Sequence, residues 1–247
     1  MKIVIFSGTT EGRELSLRLA ETGAVVTVCV ATAYGEEEQS AHPNIRTLVG
    51  PLTPEEKQTL LADALLCVDA THPYATHVTG SIRAACNDAN VPYYRLLRPA
   101  SALEDAVVVP DAAAAAAWLG KRAGNVLLTT GAKELPAFAG LDPERLYPRV
   151  LPSHAALEAC EALSVPHRNI IAMQGPFSRD LNEASLRQYA IRCLVTKDGG
   201  APGGFSEKAE AAKRCGVTLL VLRRPEETGM DFDAVLAVCL DALRQQS

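Results

Sequence analysis

The 247-residue sequence lacks the features that mark several large classes of protein. Aromatic residues make up only 5% of it, and no apolar run approaches the length of a membrane-spanning helix. Its formal net charge is −5, whereas nucleic acids and anionic membranes select proteins with a basic surface. We therefore expect neither a nucleic acid nor a membrane as a partner. A small anionic ligand stays compatible, because a local pocket of Arg and Lys barely changes the total charge.

Cysteine usage lacks the pattern of a disulfide-bonded or zinc-binding protein. The seven cysteines are odd in number and include no C-x-x-C pair. Four of them, Cys29, Cys67, Cys193 and Cys239, lie inside apolar runs, where a thiol behaves as a small hydrophobe. The sequence thus predicts a cytoplasmic protein without a disulfide framework and without a metal site.

Common catalytic signatures are missing as well. The sequence has no Tyr-x-x-x-Lys pair of the short-chain dehydrogenase type and no G-x-x-x-x-G-K-[ST] phosphate loop. It also has no H-E-x-x-H and no G-x-S-x-G. Any chemistry must therefore come from a less familiar arrangement of side chains.

The sequence does contain short apolar runs that alternate with amphipathic segments. Most runs are continuously apolar, which is typical of parallel strands covered by helices on both faces. The candidate strands are residues 3–7, 25–30, 45–49, 65–69, 92–96, 107–109, 126–129, 146–150, 170–173, 193–196 and 219–222. The candidate helices are residues 11–21, 54–64, 78–90, 111–119, 154–162, 179–189, 207–215 and 232–244, and their candidate N-caps include Thr53, Asp111, Ser153 and Ser206. The pattern predicts an α/β protein with mainly parallel sheets and right-handed crossovers.

Eleven strands exceed what one sheet of ordinary size holds. A polar, proline-containing break follows the fifth strand at residues 98–105. We therefore predict two domains, residues 1–100 and residues 101–247, with five or six strands each.

Ligands of parallel sheets bind beyond the carboxyl ends of the strands, so the turns from strand to helix are the candidate sites. In the first turn, Ser-Gly-Thr-Thr-Glu-Gly-Arg at residues 7–13, Gly8 permits a tight turn and Gly12 lets the helix lie close to the strand. The N–H groups at the helix start can hold a phosphate, although a plain turn explains the same spacing. Residues 31–33 lack the acidic side chain that would bind a ribose hydroxyl, which favours NADP over NAD.

The turn at residues 69–75, Asp-Ala-Thr-His-Pro-Tyr-Ala, brings four polar side chains to the end of the fourth strand. His72 can act as a general acid or donate a hydrogen bond to a carboxylate, although a lone histidine is more often structural. His77 follows, but no third ligand at typical spacing supports a metal site. Arg95 and Arg98 end the fifth strand, where planar guanidinium groups suit carboxylates.

Three further strand-to-helix turns with polar side chains and glycines lie in the second half of the sequence. Residues 129–135 combine hydroxyls, a glycine and a lysine, and residues 174–178 read Gln-Gly-Pro-Phe-Ser. Residues 196–204 include four glycines that let the backbone approach a ligand closely, with Lys197 and Lys208 to meet its charge. The alternative for this third turn is a disordered hairpin or an exposed lid.

Taken together, these turns resemble the precorrin-6A reductase family of cobalamin biosynthesis. The motifs stand in family order and span nearly the whole chain, and the string at residues 69–75 is the most specific of them. The sequence departs from the family at Ser7, where a second glycine is frequent, and at Gly199 and Gly200, where serine is frequent. The motifs that carry the resemblance are residues 8–13, residues 69–75, Arg95 with Arg98 and Pro99, residues 129–135, residues 174–178 and residues 195–199.

The resemblance implies two Rossmann-like domains, with NADPH and a tetrapyrrole in the ligand cleft between them. The implied reaction is reduction of precorrin-6A to precorrin-6B by hydride transfer to C19, carried out by a monomer or weak dimer. A tetrapyrrole with many carboxylate arms requires scattered cations and hydroxyls, and the cofactor carries the hydride chemistry.

The resemblance also implies roles for individual residues. The candidate catalytic residues are His72 and Tyr74, either of which would supply a proton. The candidate cofactor-binding residues are Gly8, Thr9, Thr10, Glu11, Gly12, Thr130, Gly131, Lys133, Ser178 and Lys197. The candidate substrate-binding residues are Arg13, Asp69, Thr71, His72, Arg95, Arg98, Gly199 and Gly200.

Three alternatives stay open at this point. A cobalt-precorrin-6A reductase would share every motif. A non-catalytic nucleotide-binding module would bind NADPH without turnover, and a nucleotide-sugar transferase would bind UDP-type ligands instead.

Overall fold

The computed structural model describes residues 2–101, 103, 105–200 and 203–245. The chain divides into two compact units, one formed by Met1–Pro99 together with Pro225–Ser247 and the other by Ala100–Arg224. The sequence analysis placed all of residues 101–247 in the second domain, and the structure corrects this for the last 23 residues. Ala201 and Pro202, in the glycine-rich turn after residue 196, and Ala102 and Glu104, in the predicted break, lie outside the described residues.

The first unit is built on a five-stranded sheet with the order β3-β2-β1-β4-β5, in which every pair of neighbouring strands is parallel. Its strands are β1 (Lys2–Ser7), β2 (Val26–Val30), β3 (Ile45–Val49), β4 (Ala64–Ala70) and β5 (Tyr93–Arg95). Its helices are α1 (Thr10–Glu21), α2 (Ala33–Glu37), α3 (Pro54–Leu61), α4 (Thr76–Asp88) and α9 (Phe232–Arg244).

The second unit is built on a six-stranded sheet with the order β6-β11-β10-β7-β8-β9, again with parallel neighbours. Its strands are β6 (Val107–Val109), β7 (Asn125–Leu128), β8 (Leu146–Val150), β9 (Ile171–Ala172), β10 (Ile191–Lys197) and β11 (Thr218–Leu222). Its helices are α5 (Ala112–Gly120), α6 (His154–Ala162), α7 (Arg179–Gln188) and α8 (Phe205–Cys215), with 3₁₀ turns at Ala132–Phe138, Pro143–Arg145 and His167–Asn169. The predicted α/β class, with mainly parallel sheets in two Rossmann-like halves, is confirmed.

Side-chain caps start most of the helices. Thr53, Asp111 and Ser153 each accept a hydrogen bond from the backbone N–H three residues on, as the sequence predicts. Ser206 was wrongly predicted as a cap: α8 begins at Phe205, two residues before the predicted start at residue 207, and its N-cap is Gly204, which has a left-handed φ of 67° and no side chain to accept a capping hydrogen bond. The start of α8 therefore has no capping side chain among the described residues.

Apolar side chains cover both faces of each sheet, and helix α9 belongs to the core of the first unit. Val235 and Cys239 on α9 are fully buried in the same cluster as Ile3 and Leu19. The amphipathic pattern of α9 shows that it has a buried face but does not show which sheet it covers. Within the described residues, no helix is both long enough and apolar enough to cross a bilayer.

Gly12 sets the distance between α1 and the sheet. A Cβ at this position would lie 2.7 Å from Cβ of Ala70 and 2.8 Å from Oγ of Ser7. Gly80, a second glycine within a helix, has open space around the same position. Gly12 therefore allows α1 to pack directly on the ends of β1 and β4.

We expect Gly12→Ala to lower the free energy of unfolding by about 1–3 kcal/mol, because the added methyl group overpacks this contact. The matched substitution Gly80→Ala should instead raise it by about 0.5–1 kcal/mol, because alanine favours an exposed helix. Urea denaturation followed by circular dichroism measures both. Equal shifts in the same direction would contradict the close contact at Gly12.

Candidate functional site

In the first unit the strand order reverses between β1 and β4, which is where open α/β sheets bind ligands. The turns predicted from the sequence, residues 7–13 and 69–75, follow these two strands. Ser7 and Ala70 are register partners, and a Cβ built on Gly8 would lie 3.8 Å from the backbone nitrogen of His72. The two most distinctive motifs therefore meet at one edge of one sheet.

Thr9 joins the two turns. Its Oγ1 accepts a hydrogen bond from the N–H of Gly12 (3.2 Å) and donates one to the carbonyl of Ala70 (2.9 Å). The hydroxyl thus caps α1 and fixes the end of β4 at the same time. Thr9, which was predicted to contact the cofactor, stabilises the conformation of the turn through these two hydrogen bonds.

A buried polar cluster, the Asp69 network, lies at the ends of β4 and β5 and consists of Asp69, Thr71, Tyr93, Arg95 and Glu227. Asp69 is fully buried, and its Oδ1 accepts hydrogen bonds from Arg95 Nη1 (2.8 Å), Thr71 Oγ1 (2.7 Å) and Thr71 N (3.0 Å). Its Oδ2 accepts one from Tyr93 Oη (2.9 Å). Burial, with the charge of Asp69, raises the pKa of Tyr93, so the phenol stays a donor. The charge of Asp69 is therefore fully compensated.

Arg95 connects the Asp69 network to the returning C-terminal segment. Its Nε and Nη2 donate to Oε1 of Glu227 at 2.9 and 2.6 Å, and only 4% of its side chain is exposed. Both residues line a surface cavity of about 540 Å³ in this unit. Arg95, expected to hold a substrate carboxylate, thus already binds two carboxylates of its own chain.

The other two predicted substrate cations of this unit are paired in the same way. Arg98, with a side chain 7% exposed, donates through Nε and Nη2 to both carboxylate oxygens of Glu11 at 2.6–3.0 Å. Arg13 donates through Nη1 to Oε2 of Glu38 at 2.7 Å on a more exposed surface. A ligand carboxylate would have to displace Glu11 or Glu38 to reach these groups.

His72 and Tyr74 lie together after β4. Their rings are 5.6 Å apart between centroids and tilted by 36°, and Nδ1 of His72 faces the N–H of Tyr74 at 3.4 Å. Both side chains are half-buried beside the turn at residues 7–13. The structure therefore brings the two candidate proton donors to the same edge as the candidate cofactor turn.

In the second unit the strand order reverses between β7 and β10, and the predicted turns at residues 129–135 and 196–204 follow these strands. Lys197 Nζ lies 2.6 Å from Oε1 of Glu134, so a salt bridge joins the two turns. Gly131 has a φ of 86°, and the side chain of Lys133 beyond it is exposed. The predicted turns of the second unit therefore also lie where the strand order of the sheet reverses.

Asp198 organises the glycine-rich turn. It is 2% exposed and accepts hydrogen bonds from Ser101 N (3.0 Å), Ser101 Oγ (2.7 Å) and Gly200 N (3.0 Å), with Arg224 Nη2 3.7 Å away. Although burial opposes ionisation, the bonds from Ser101 and Gly200 lower the pKa of Asp198. The candidate substrate contacts Gly199 and Gly200 are consequently buried and held in a fixed turn.

Two further predicted residues have local roles. Oγ of Ser178 accepts from the N–H of Leu181 at 3.2 Å and caps α7. Oγ1 of Thr130 is buried without a hydrogen-bond partner among the described residues. Within those same residues, no three His, Cys, Asp or Glu side chains are grouped as a metal site would need.

The sequence analysis did not name Tyr93 and Glu227 of the Asp69 network, nor Arg149 of the second unit. Arg149 is the last residue but one of β8 and is 6% exposed. An arginine inside an otherwise apolar strand was the available signal for it. Glu227 gave no signal, because only the fold brings it to Arg95.

Comparison with known proteins agrees with this arrangement. The family described as "Precorrin-6x reductase CbiJ/CobK" matches residues 2–240. The chain belongs to this family. The resemblance inferred from the sequence is confirmed, together with the coarse class of activity, a reductase of a precorrin.

Several members resemble this chain over most of its length. The Cobalt-precorrin-6A reductase of Methanothermobacter thermautotrophicus is 35% identical over 92% of this chain and 77% of its own. That of Priestia megaterium is 31% identical over 91% of both chains. The Precorrin-6A reductase of Rhodococcus erythropolis is 29% identical over 91% of this chain and 89% of its own.

A solved structure shares the fold. The protein described as "CobK precorrin-6A reductase" superposes with a TM-score of 0.77 at 23% identity, covering 98% of this chain and 97% of its own. The two parallel sheets are thus the family's architecture.

The Asp69 network makes Arg95 a structural cation in this family member. We expect Arg95→Ala to lower the free energy of unfolding by about 3–5 kcal/mol, because it leaves Asp69 buried without its charge partner. The matched substitution Arg13→Ala removes the more exposed pair with Glu38 and should lower the free energy of unfolding by at most about 1 kcal/mol. Chemical denaturation followed by circular dichroism compares them, and a loss at Arg95 as small as that at Arg13 would contradict the network.

Proposed function

We propose that this protein reduces precorrin-6A to precorrin-6B with NADPH, by hydride transfer to C19, in cobalamin biosynthesis. The observation that carries the proposal is the meeting of residues 7–13 and 69–75 at the strand reversal of a sheet in a member of the precorrin reductase family. Open parallel sheets bind nucleotides and their partners at such points.

The turn after β1 fits a nucleotide cofactor. Gly8 is exposed at the start of the turn, and Gly12 brings the start of α1 against the sheet, so that its N–H groups face the same edge. Thr32, two residues after β2, caps α2, and residues 31–33 carry no acidic side chain at the position where one would bind a ribose hydroxyl. When bound, NADPH would supply the hydride.

The residues that we propose to contact the cofactor are the ten named from the sequence. They are Gly8, Thr9, Thr10, Glu11, Gly12, Thr130, Gly131, Lys133, Ser178 and Lys197. Of these, Thr9 and Ser178 contribute through the helix starts that they cap.

The proposed substrate contacts combine hydroxyls and cations. Thr71 and His72 stand at the end of β4, where Arg95 fixes Asp69 and so positions Thr71. Arg13, Arg98, Gly199 and Gly200 complete the proposed set. The paired arginines act on an anionic substrate by exchanging a carboxylate of the protein for one of the ligand, which keeps the exchange nearly neutral in charge.

His72 is our candidate for the residue that supplies the proton, with Tyr74 against its ring as the second candidate. Both face the edge at which the cofactor turn lies. A positioned imidazole contributes to proton transfer at neutral pH because its pKa is close to the working pH.

A second candidate substrate is cobalt-precorrin-6A. The two relatives described above that exceed 30% identity both carry the name Cobalt-precorrin-6A reductase, whereas the Rhodococcus protein at 29% is named for the metal-free compound. The names of these relatives are the reason to test cobalt-precorrin-6A as the second candidate.

The proposed function is tested by turnover of both substrates with NADPH and with NADH, followed as loss of absorbance at 340 nm. We expect oxidation of NADPH with at least one of the two tetrapyrroles, and a higher kcat/KM with NADPH than with NADH. Binding of NADPH without turnover of either compound would instead indicate a nucleotide-binding module and would refute the reductase proposal.

Lys133 offers a sharper test of the second unit. Its side chain is exposed, and no ion pair holds it within the described residues. We expect Lys133→Ala to raise the KM for NADPH or for the tetrapyrrole by roughly tenfold, the loss of one charge-assisted hydrogen bond, while stability changes by less than about 0.5 kcal/mol.

Lys121→Ala is the matched control for this test. Lys121 is an exposed lysine that precedes β7 and so lies at the opposite edge of the same sheet. Its KM values should equal those of the wild type. Unchanged KM values in the Lys133 variant as well would remove that residue from the proposed site.

A further inference from the structure

Arg149, at the end of β8, is a buried cation without a carboxylate partner. Its side chain is 6% exposed, and within the described residues no Asp or Glu oxygen comes within 4.0 Å of it. Its Nη1 donates to Oδ1 of Asn182 at 2.9 Å, and its guanidinium carbon lies 4.1 Å above the ring of Phe177. These neutral contacts orient the guanidinium but leave its charge uncompensated, which is costly in a protein interior.

A second cation interacts with Arg149 electrostatically. Lys208, on the second turn of α8, is half-buried, and the part of the chain that the structure describes shows it in no ion pair. Burial and repulsion by Arg149 lower the pKa of Lys208 to about 8, against the opposing influence of Glu207 and Asp198. Burial also lowers the pKa of Arg149 to about 10. The two groups therefore share one electrostatic environment.

The local backbone favours an anion at the same place. Helix α8 starts after Gly204 without a side-chain cap, and a Cβ built on Gly204 would lie 3.8 Å from Oε2 of Glu207 and 4.0 Å from the backbone nitrogen of Phe177. The start of α8 thus adjoins the backbone of Phe177, the residue whose ring lies against Arg149.

Two carboxylates, those of Glu207 and Asp198, act on Lys208. Asp198 accepts hydrogen bonds from Ser101 and Gly200, whereas Oε2 of Glu207 is buried without a hydrogen-bond partner among the described residues. Glu207 is therefore the carboxylate that an anion would meet beside the two cations and the positive end of the helix.

We propose that Arg149 and Lys208 bind an oxyanion, the phosphate or carboxylate group of a ligand, at the carboxyl end of β8. A purely structural arginine this deeply buried is normally paired with a carboxylate, as Arg95 is in the first unit. The planar guanidinium, held by Asn182 and Phe177, keeps donors available for such a group. The source of the oxyanion rests on the proposed function: a phosphate of NADPH or a carboxylate arm of the tetrapyrrole.

The first experiment tests the site without reference to turnover. The thermal midpoint of the wild type is measured in inorganic phosphate and in succinate, each against sodium chloride at equal ionic strength. We expect at least one of the two anions to raise the midpoint in a saturable manner. Arg149→Met and Lys208→Met should weaken the apparent affinity for that anion by roughly 10- to 100-fold, the loss of a charge-assisted contact.

Lys213→Met is the control, because Lys213 is an exposed cation on the same helix. It should keep the wild-type response. In chloride alone, Arg149→Met should be at least as stable as the wild type, since methionine removes an uncompensated buried charge and keeps most of the volume. If Arg149→Met does not fold, the comparison of Lys208→Met with Lys213→Met carries the test. An equal anion response in wild type, Lys208→Met and Lys213→Met would overturn the proposal, as would a wild type that responds to neither anion.

The second experiment identifies the source of the oxyanion. Calorimetric titration with NADPH and with NADH is compared between the wild type and the two Met variants, and the KM for the tetrapyrrole is measured where turnover is found. Weaker binding of NADPH with unchanged NADH assigns the 2′-phosphate, and weaker binding of both assigns the pyrophosphate. Unchanged cofactor binding with a raised tetrapyrrole KM assigns a carboxylate arm. No change in any of these constants would overturn the assignment of a ligand to the site, whereas absence of turnover alone affects only the reductase proposal.

Discussion

The buried ion pair between Asp69 and Arg95 is the interaction on which the first unit's ligand edge depends. The two residues are register partners at the ends of β4 and β5, so the sheet itself sets their distance. Through the same guanidinium, Glu227 attaches the segment that leads into α9. Thr71 donates to the same Oδ1 of Asp69 that Arg95 binds, so the turn that carries His72 is anchored to the interior. The ion pair of Asp69 and Arg95 thus stabilises both the turn after β4 and the position of the segment that leads into α9.

Buried charge is handled differently in the two units. In the first, acidic groups at 2.6–3.0 Å neutralise Arg95 and Arg98, so the charges of these cations are balanced by carboxylates of the protein itself. In the second, Asp198 is satisfied by backbone and hydroxyl donors, while the described residues give Arg149 only neutral contacts. A paired cation binds an anion only by exchanging its own carboxylate, whereas an unpaired buried cation has no carboxylate to give up. The two units therefore differ in how far their buried cations are already neutralised.

Much of this fold could be predicted because it depends on local patterns of apolar and polar residues in the sequence. Continuous apolar runs mark the covered parallel strands, and all eleven predicted strands correspond to observed ones. Helix α2 was missed because five residues at 33–37 are too few to show a period, and the 3₁₀ turn at Ala132–Phe138 has none to show. The location of the site was also predictable, because strand ends with glycines and hydroxyls stand out against apolar strands.

The partners of the site residues were not predictable in the same way. Arg95 and Arg98 look from the sequence like cations offered to a ligand, yet Glu227 and Glu11 reach them from 132 and 87 residues away along the chain. Only the assembled sheet and the return of α9 bring these carboxylates into place. Arg149 shows the converse, since a strand arginine looks structural, and only the three-dimensional structure shows that no carboxylate of the described residues pairs with it. A chain with a net charge of −5 can therefore bind a polyanion, because acidic residues that are already used in pairing do not repel it as free carboxylates would. What decides anion binding is the number of cations left uncompensated at the strand ends, and the total charge says little about that number.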